Sequence, residues 1–186
     1  DATRWQKAPA ISEMIYTFED ALLYSGMLMA IMHKCDVVKL ACQALVANIS
    51  AMIMTTPDGE MWLQTTYYPF SLMAKYGRGT VLDSRKNDAD RILSTVVVDN
   101  QEAGEIVIFA INRSSAEDVE MELNLTGMEV SEVEEHVILQ HDDLKATNQL
   151  KHDNVLPKNC DNSNVKNGKL VSVIPKLSWN MIRLKK

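Results

Sequence analysis

Three adjacent carboxylate pairs (Glu19-Asp20, Glu134-Glu135 and Asp142-Asp143) and four histidines (His33, His136, His141 and His152) have the side-chain types that could move protons. Acid–base chemistry needs such groups to converge on one reacting atom. Neighbouring residues diverge by about 100° on a helix and point to opposite faces of a strand, so no doublet sets two carboxylates across one substrate. Capping and solvated surface are the roles expected of them. His33 falls at the end of a helical pattern, where it would serve the helix terminus. His136 lies in a strand-like run and His141 and His152 near or within loops, none with a visible Ser, Cys or Asp partner, so no triad is expected. Cys35, Cys42 and Cys160 form an odd set without a CxxC or Cys/His spacing, which favours reduced thiols and argues against zinc. No zinc site is expected.

The elements that must position these groups follow two grammars. Phe18, Ala21, Leu22, Ser25, Leu28, Met29 and Met32 recur at helical spacing, with Thr17 and Asp20 placed as a capping box. Residues 37–41 carry β-branched side chains with little polar alternation, as in a strand covered on both faces of a parallel sheet. After the turn Pro57-Asp58-Gly59, residues 65–76 predict a second helix closed by Gly77 and Gly79. Helix, strand, helix is α/β organisation. A lone strand cannot close a sheet, so residues 1–82 are expected to pack onto sequence outside this chain.

Beyond residue 90 the period becomes two. Val119, Met121, Leu123 and Leu125 alternate with Glu120, Glu122 and Asn124, a strand with one wet face. Five further runs (92–98, 106–111, 133–139, 170–174 and 179–184) complete the pattern of an antiparallel β-sandwich. Residues 151–168 predict a polar loop. The fold class is therefore α/β followed by all-β, divided at residues 1–83 and 84–186.

Composition narrows the partners. With 46% hydrophobic and 24% charged residues the chain can bury a core, and a net charge of −6 argues against nucleic acid. The apolar run 21–32 is too short to span a bilayer, so no membrane partner is expected.

Several segments carry a family likeness: WLQTTYYPFSLMAKYGRGT (62–80), LSWNMIRL (177–184), YTFEDALL (16–23), VVKLA (37–41), IMTTPDGEMW (53–62), IFAINRS (108–114) and VEEHVILQHDDLKATN (133–148). In their order and over nearly the whole length, the chain resembles the carboxyl-terminal part of a glycoside hydrolase family 51 α-L-arabinofuranosidase. The resemblance implies the last helix-strand-helix portion of a (β/α)8 barrel over 1–83 and a β-sandwich over 84–186. It implies a retaining hydrolase of terminal arabinofuranosyl residues, whose two catalytic glutamates lie upstream of Asp1, so no catalytic residue is expected in this chain. The implied partners are an arabinose-containing polysaccharide or oligosaccharide, the rest of the barrel and further copies in a homo-oligomer, in a cytoplasmic rather than secreted setting.

Three residues are substrate-binding candidates within that likeness. The family reads LAQLVN where this chain reads QALVAN (43–48), so the aligned Gln becomes Leu45 and Gln43 lies two residues earlier. On a persisting strand Gln43 would share that face; otherwise it serves backbone pairing. Trp62 could stack on a sugar, although aromatic residues in such a lead-in segment also fill cores. Trp5 aligns with a loop at the cleft edge. A rival reading makes the β half an autonomous carbohydrate-binding or interaction module, which an exposed row of sheet aromatics would favour; Phe109 and Trp179 are the large aromatics available there, which weakens it.

Overall fold

A computed structural model describes residues 13–84 and 92–186. Helix α1 (Phe18–Met32) starts where the capping box predicts: the Asp20 amide donates to Thr17 Oγ1 and the Thr17 amide to Asp20 Oδ2 at 2.7 Å. Its buried residues are Phe18, Ala21, Ser25 and Met29, one stripe. Ser25 adds no unsatisfied group to that stripe, because its hydroxyl donates to the Ala21 carbonyl at 2.5 Å.

A two-stranded hairpin follows, β1 (Ile53–Thr55) and β2 (Met61–Leu63), reversed around Pro57-Asp58-Gly59 with Gly59 at φ 83°. Helix α2 (Tyr67–Tyr76) begins two residues later than its periodicity suggests. The delay has a cause: Thr65 is buried and donates its hydroxyl to the Thr17 carbonyl at 2.6 Å, joining the two helix starts.

Among the described residues nine strands follow: β3 (Thr80–Leu82), β4 (Leu93–Asn100), β5 (Glu105–Asn112), β6 (Val119–Asn124), β7 (Glu132–Gln140), β8 (Lys158–Asn159), β9 (Ser163–Lys166), β10 (Lys169–Ile174) and β11 (Ser178–Lys185). Six form an antiparallel sheet in the order β3-β4-β5-β11-β7-β8, and three form a second sheet in the order β6-β10-β9. The large sheet is covered on both sides. Val107, Phe109 and Ile111 of β5 join a core with Phe18, Met29 and Met73 of the helices, while Ile106, Ile108 and Ala110 join Met121, Leu170 and Ile174 of the small sheet. That arrangement explains why all eight residues of β5 are buried, whereas β6 alternates with its wet face outward.

All six strands expected from periodicity form. Three expectations are corrected. Residues 37–41 make no strand: they turn and run exposed, with Val37 at 75% and Leu40 at 82% of full accessibility, because a doubly covered strand needs flanking strands and no described strand lies beside them. The α1 stripe, expected to need a cover from outside the chain, is covered by the large sheet. The polar stretch 151–168 holds β8 and β9, the latter paired with β10 at the sheet edge. The chain is thus mostly antiparallel sheet with two helices.

Candidate functional site

Gln43 sits in the exposed loop after α1. Tyr24 Oη donates to Gln43 Oε1 at 2.6 Å, and Gln43 Nε2 donates to the adjacent Ala44 carbonyl at 3.2 Å. Burial, with the nearby Tyr16 adding to it, raises the Tyr24 hydroxyl above its ordinary pKa, so it remains a donor. The strand geometry that would place Gln43 and Leu45 on one face is absent, since Leu45 adopts a left-handed φ of 63°. Asn48 fastens the end of this loop to the hairpin, accepting from the Thr55 amide at 2.7 Å and donating to Thr55 Oγ1 at 2.8 Å.

Gln64, which sequence reasoning passed over inside WLQTTYYPF, is the staple of this region. It is buried, donates to the carbonyls of Ala51 (2.7 Å) and Met14 (3.1 Å), and accepts from the Tyr16 amide at 2.8 Å. A side chain that gathers three backbone groups fixes the hairpin relative to the entry of α1. Its one sequence signal is a polar residue at the junction between a strand and a helix.

Trp62 lies on β2 opposite Met54 and lines a cleft of about 520 Å³ with Glu60, Tyr68, Leu150, Lys151 and Asp153. Lys151 Nζ meets Glu60 Oε1 at 3.0 Å. The Tyr68 hydroxyl is pushed up to about 12, first by burial and then by the charge of Asp153. Gln43 does not line this cleft. Trp5 lies outside the described residues.

The doublet carboxylates Glu19, Asp20, Glu134, Glu135 and Asp143 have partners of their own. Asp20 caps α1 while Glu19 pairs with Lys145, and Asp143 accepts from the Lys145 amide at 2.8 Å. Glu134 and Glu135 both reach Arg183, each at 3.2 Å, and Arg183 Nε donates to the buried Glu105 at 2.8 Å. A guanidinium shared among three carboxylates closes an ion-pair network rather than a pair of free acids. His33 closes α1, its amide donating to the Met29 carbonyl at 3.0 Å, while its ring meets the Thr95 carbonyl of the sheet through Nε2 at 2.9 Å.

One constellation escaped sequence reading. Ser163 Oγ meets His136 Nδ1 at 2.8 Å, and His136 Nε2 meets Asn180 Oδ1 at 3.1 Å. Ser172 Oγ lies 2.8 Å from Ser163 Oγ, and Asn180 Nδ2 donates to Ser178 Oγ at 2.8 Å. The residues resemble a hydrolytic relay, but His136, Asn180, Ser172 and Ser178 are buried. The relay ties β9 and β10 of the small sheet to β7 and β11 of the large one. Burial lowers the His136 pKa, opposed by its Asn180 hydrogen bond.

The module reading gains no support from the sheet aromatics that would favour it. Phe109 and Trp179 are both buried, stacked with centroids 6.1 Å apart.

Against known proteins, a family model described as the α-L-arabinofuranosidase C-terminal domain matches residues 2–178. An intracellular exo-α-(1→5)-L-arabinofuranosidase from Acetivibrio thermocellus is 40% identical over 98% of this chain and 38% of its own length. An exo-α-(1→6)-L-arabinofuranosidase from Bifidobacterium longum is 33% identical over 97% of this chain and 37% of its own. Among solved structures, a family 51 α-L-arabinofuranosidase from Bifidobacterium longum matches with a TM-score of 0.80 and 26% identity, over 97% of this chain and 37% of that one. A family 51 arabinofuranosidase from Xanthomonas axonopodis pv. citri shares the fold, with a TM-score of 0.84 at 22% identity, over 99% of this chain and 39% of that one. The chain spans less than two-fifths of the length of these relatives.

Proposed function

Since the chain belongs to the family of α-L-arabinofuranosidase C-terminal domains, we propose that it is the carboxyl-terminal portion of an enzyme that removes terminal α-L-arabinofuranosyl residues from arabinan, arabinoxylan or their oligosaccharides. The 40% identity sustained along 98% of the chain carries this reading. Hydrolysis proceeds with retention through two glutamates upstream of Asp1, one as nucleophile and one as acid and base. No cofactor takes part. The doublets Glu19-Asp20 and Glu134-Glu135, committed to a cap and to ion pairs, support an upstream location for the chemistry.

Residues 1–83 belong to the closing portion of a (β/α)8 barrel and residues 84–186 to the sandwich. The support is the apolar flank of the first unit: Val37, Leu40 and Val46 are 75%, 82% and 82% exposed, with Leu23 and Met27 also exposed on α1. Fully burying each such side chain stabilises by roughly 1.5–3 kcal/mol, so a barrel wall laid over them is strongly favoured. Gln43 and Trp5 contact sugar at the rim of the completed barrel, and Trp62 contacts sugar from the separate cleft it lines. The enzyme works in the cytoplasm as a homo-oligomer.

An aryl α-L-arabinofuranoside separates the outcomes. The 186-residue chain alone gives no turnover, and the longer protein carrying the upstream barrel does. Turnover by the chain alone, or an inactive longer protein that is folded, defeats the proposal.

A further inference from the structure

The cleft beside Trp62 is assembled from three separate parts of the fold. Hairpin β1–β2 supplies Glu60 and Trp62, α2 supplies Tyr68, and the turn between β7 and β8 supplies Leu150, Lys151 and Asp153. The cleft holds about 520 Å³ and opens broadly to solvent, so it offers a surface platform and not an enclosed pocket.

The turn is held in advance of any ligand. Lys151 adopts a left-handed φ of 62°, a conformation a non-glycine residue keeps only when its surroundings enforce it. Gln149 and His152 exchange backbone hydrogen bonds at 2.9 Å on either side of it. Below them the buried Asn148 side chain binds both the amide (2.8 Å) and the carbonyl (2.9 Å) of Val155.

Charge and polarity select the ligand class. Two carboxylates against one ammonium disfavour phosphate and other anions. The Trp62 indole and Leu150 offer apolar surface, which suits a ligand with an apolar ring face. Carboxylates accept strongly from hydroxyls, and the Tyr68 hydroxyl remains protonated, with its pKa at about 12. The Lys151–Glu60 ion pair is largely exposed, so it yields readily to an inserted hydroxyl.

We propose that this cleft is a non-catalytic subsite for a neutral pentose oligosaccharide, with Trp62 as its stacking face, Glu60 and Asp153 accepting from sugar hydroxyls, and Lys151 and Tyr68 donating. The choice of pentose rests on the arabinofuranosidase reading; the neutral, hydroxyl-rich character rests on the cleft residues.

Titration of the 186-residue chain with α-1,5-arabinotriose, followed by the indole resonances in NMR, tests it, with cellotriose as control. Saturable arabinotriose binding is expected, lost in Trp62→Ala, kept within a few-fold in Trp62→Phe, and weakened about tenfold in Asp153→Asn, the effect of one lost charge-assisted hydrogen bond. Asp153 is exposed, so that variant keeps the circular dichroism spectrum of the parent. Absence of saturable binding, binding indifferent to both substitutions, or equal binding of cellotriose would overturn the subsite. Turnover by the longer protein is measured in parallel. Turnover without cleft binding removes the subsite alone, and cleft binding without turnover removes the arabinofuranosidase reading alone.

Discussion

Tyr24 and Gln43 meet through a 2.6 Å hydrogen bond between the middle of α1 and the exposed loop that follows it. The bond occupies Gln43 Oε1 and directs the amide nitrogen toward Ala44 and solvent. In the longer enzyme, Gln43→Ala reduces sugar affinity or turnover. Tyr24→Phe, which removes one neutral hydrogen bond of about 0.5–1.5 kcal/mol, raises KM between about two- and tenfold. Steady-state kinetics on an arabinofuranosyl substrate measure both, and unchanged constants in the two variants dismiss Gln43 from the site.

His136 makes stability depend on pH in a defined direction. Its folded-state pKa lies below the ordinary value of 6.5, so the unfolded chain takes up the proton first. The contribution is complete above pH 6.5 and is lost progressively as pH falls below 6.5 toward the folded value. The slope per histidine is at most about 1.4 kcal/mol per pH unit. Urea midpoints at pH 7.5 and 5.5 are expected to differ more for the parent than for His136→Gln. An equal difference in both proteins assigns the acid sensitivity to other groups.

Arg183 and Lys145 contrast a half-buried cation with an exposed one. Arg183→Met strands Glu105, whose side chain is 5% exposed, and destabilises by about 3 kcal/mol, at the lower end for a broken buried pair. The Arg183 side chain also lies over the Tyr76 ring at 4.5 Å, so α2 loosens from the sheet. Lys145→Met removes only a solvated partner of Glu19 and leaves the denaturation midpoint unchanged within error. Chemical denaturation of the two variants decides the ranking.

The exposed flank gives a prediction with opposite signs in two settings. Leu40→Ser with Val46→Ser lowers hydrophobic-dye binding and self-association of the 186-residue chain, because both side chains are bare in it. In the longer protein the same pair lowers stability by roughly 3–6 kcal/mol if the barrel wall covers both. Equal behaviour in the two settings would show that the flank stays uncovered.

Elements whose apolar spacing is met by cover within this chain were legible from sequence. The α1 stripe, the Thr17-Asp20 cap and the strands β4, β5, β6, β7, β10 and β11 all follow from period and composition. Residues 37–41 misled because β-branched composition records burial and not strand formation by itself. β9 was hidden for the converse reason: Ser163, Asn164, Val165 and Lys166 pair at an edge and have little to bury. At the candidate site, Trp62 was legible as a flat aromatic. Its companions Lys151 and Asp153 lie about 90 residues away on a turn that no local pattern announces. The Ser163-His136-Asn180 relay was equally invisible, since it depends on register between strands of two sheets.

Strand β11 lies between β5 and β7 in the large sheet, although both neighbours precede it by at least 38 residues. During synthesis, the carbonyls and amides of β5 and β7 that face it in the folded sheet lack this partner until residues 178–185 leave the ribosome. If β5 and β7 take their places first, the position between them is one a foreign strand can enter. A free peptide spanning 178–185, supplied to a chain truncated before Ser178, is the natural competitor to look for there.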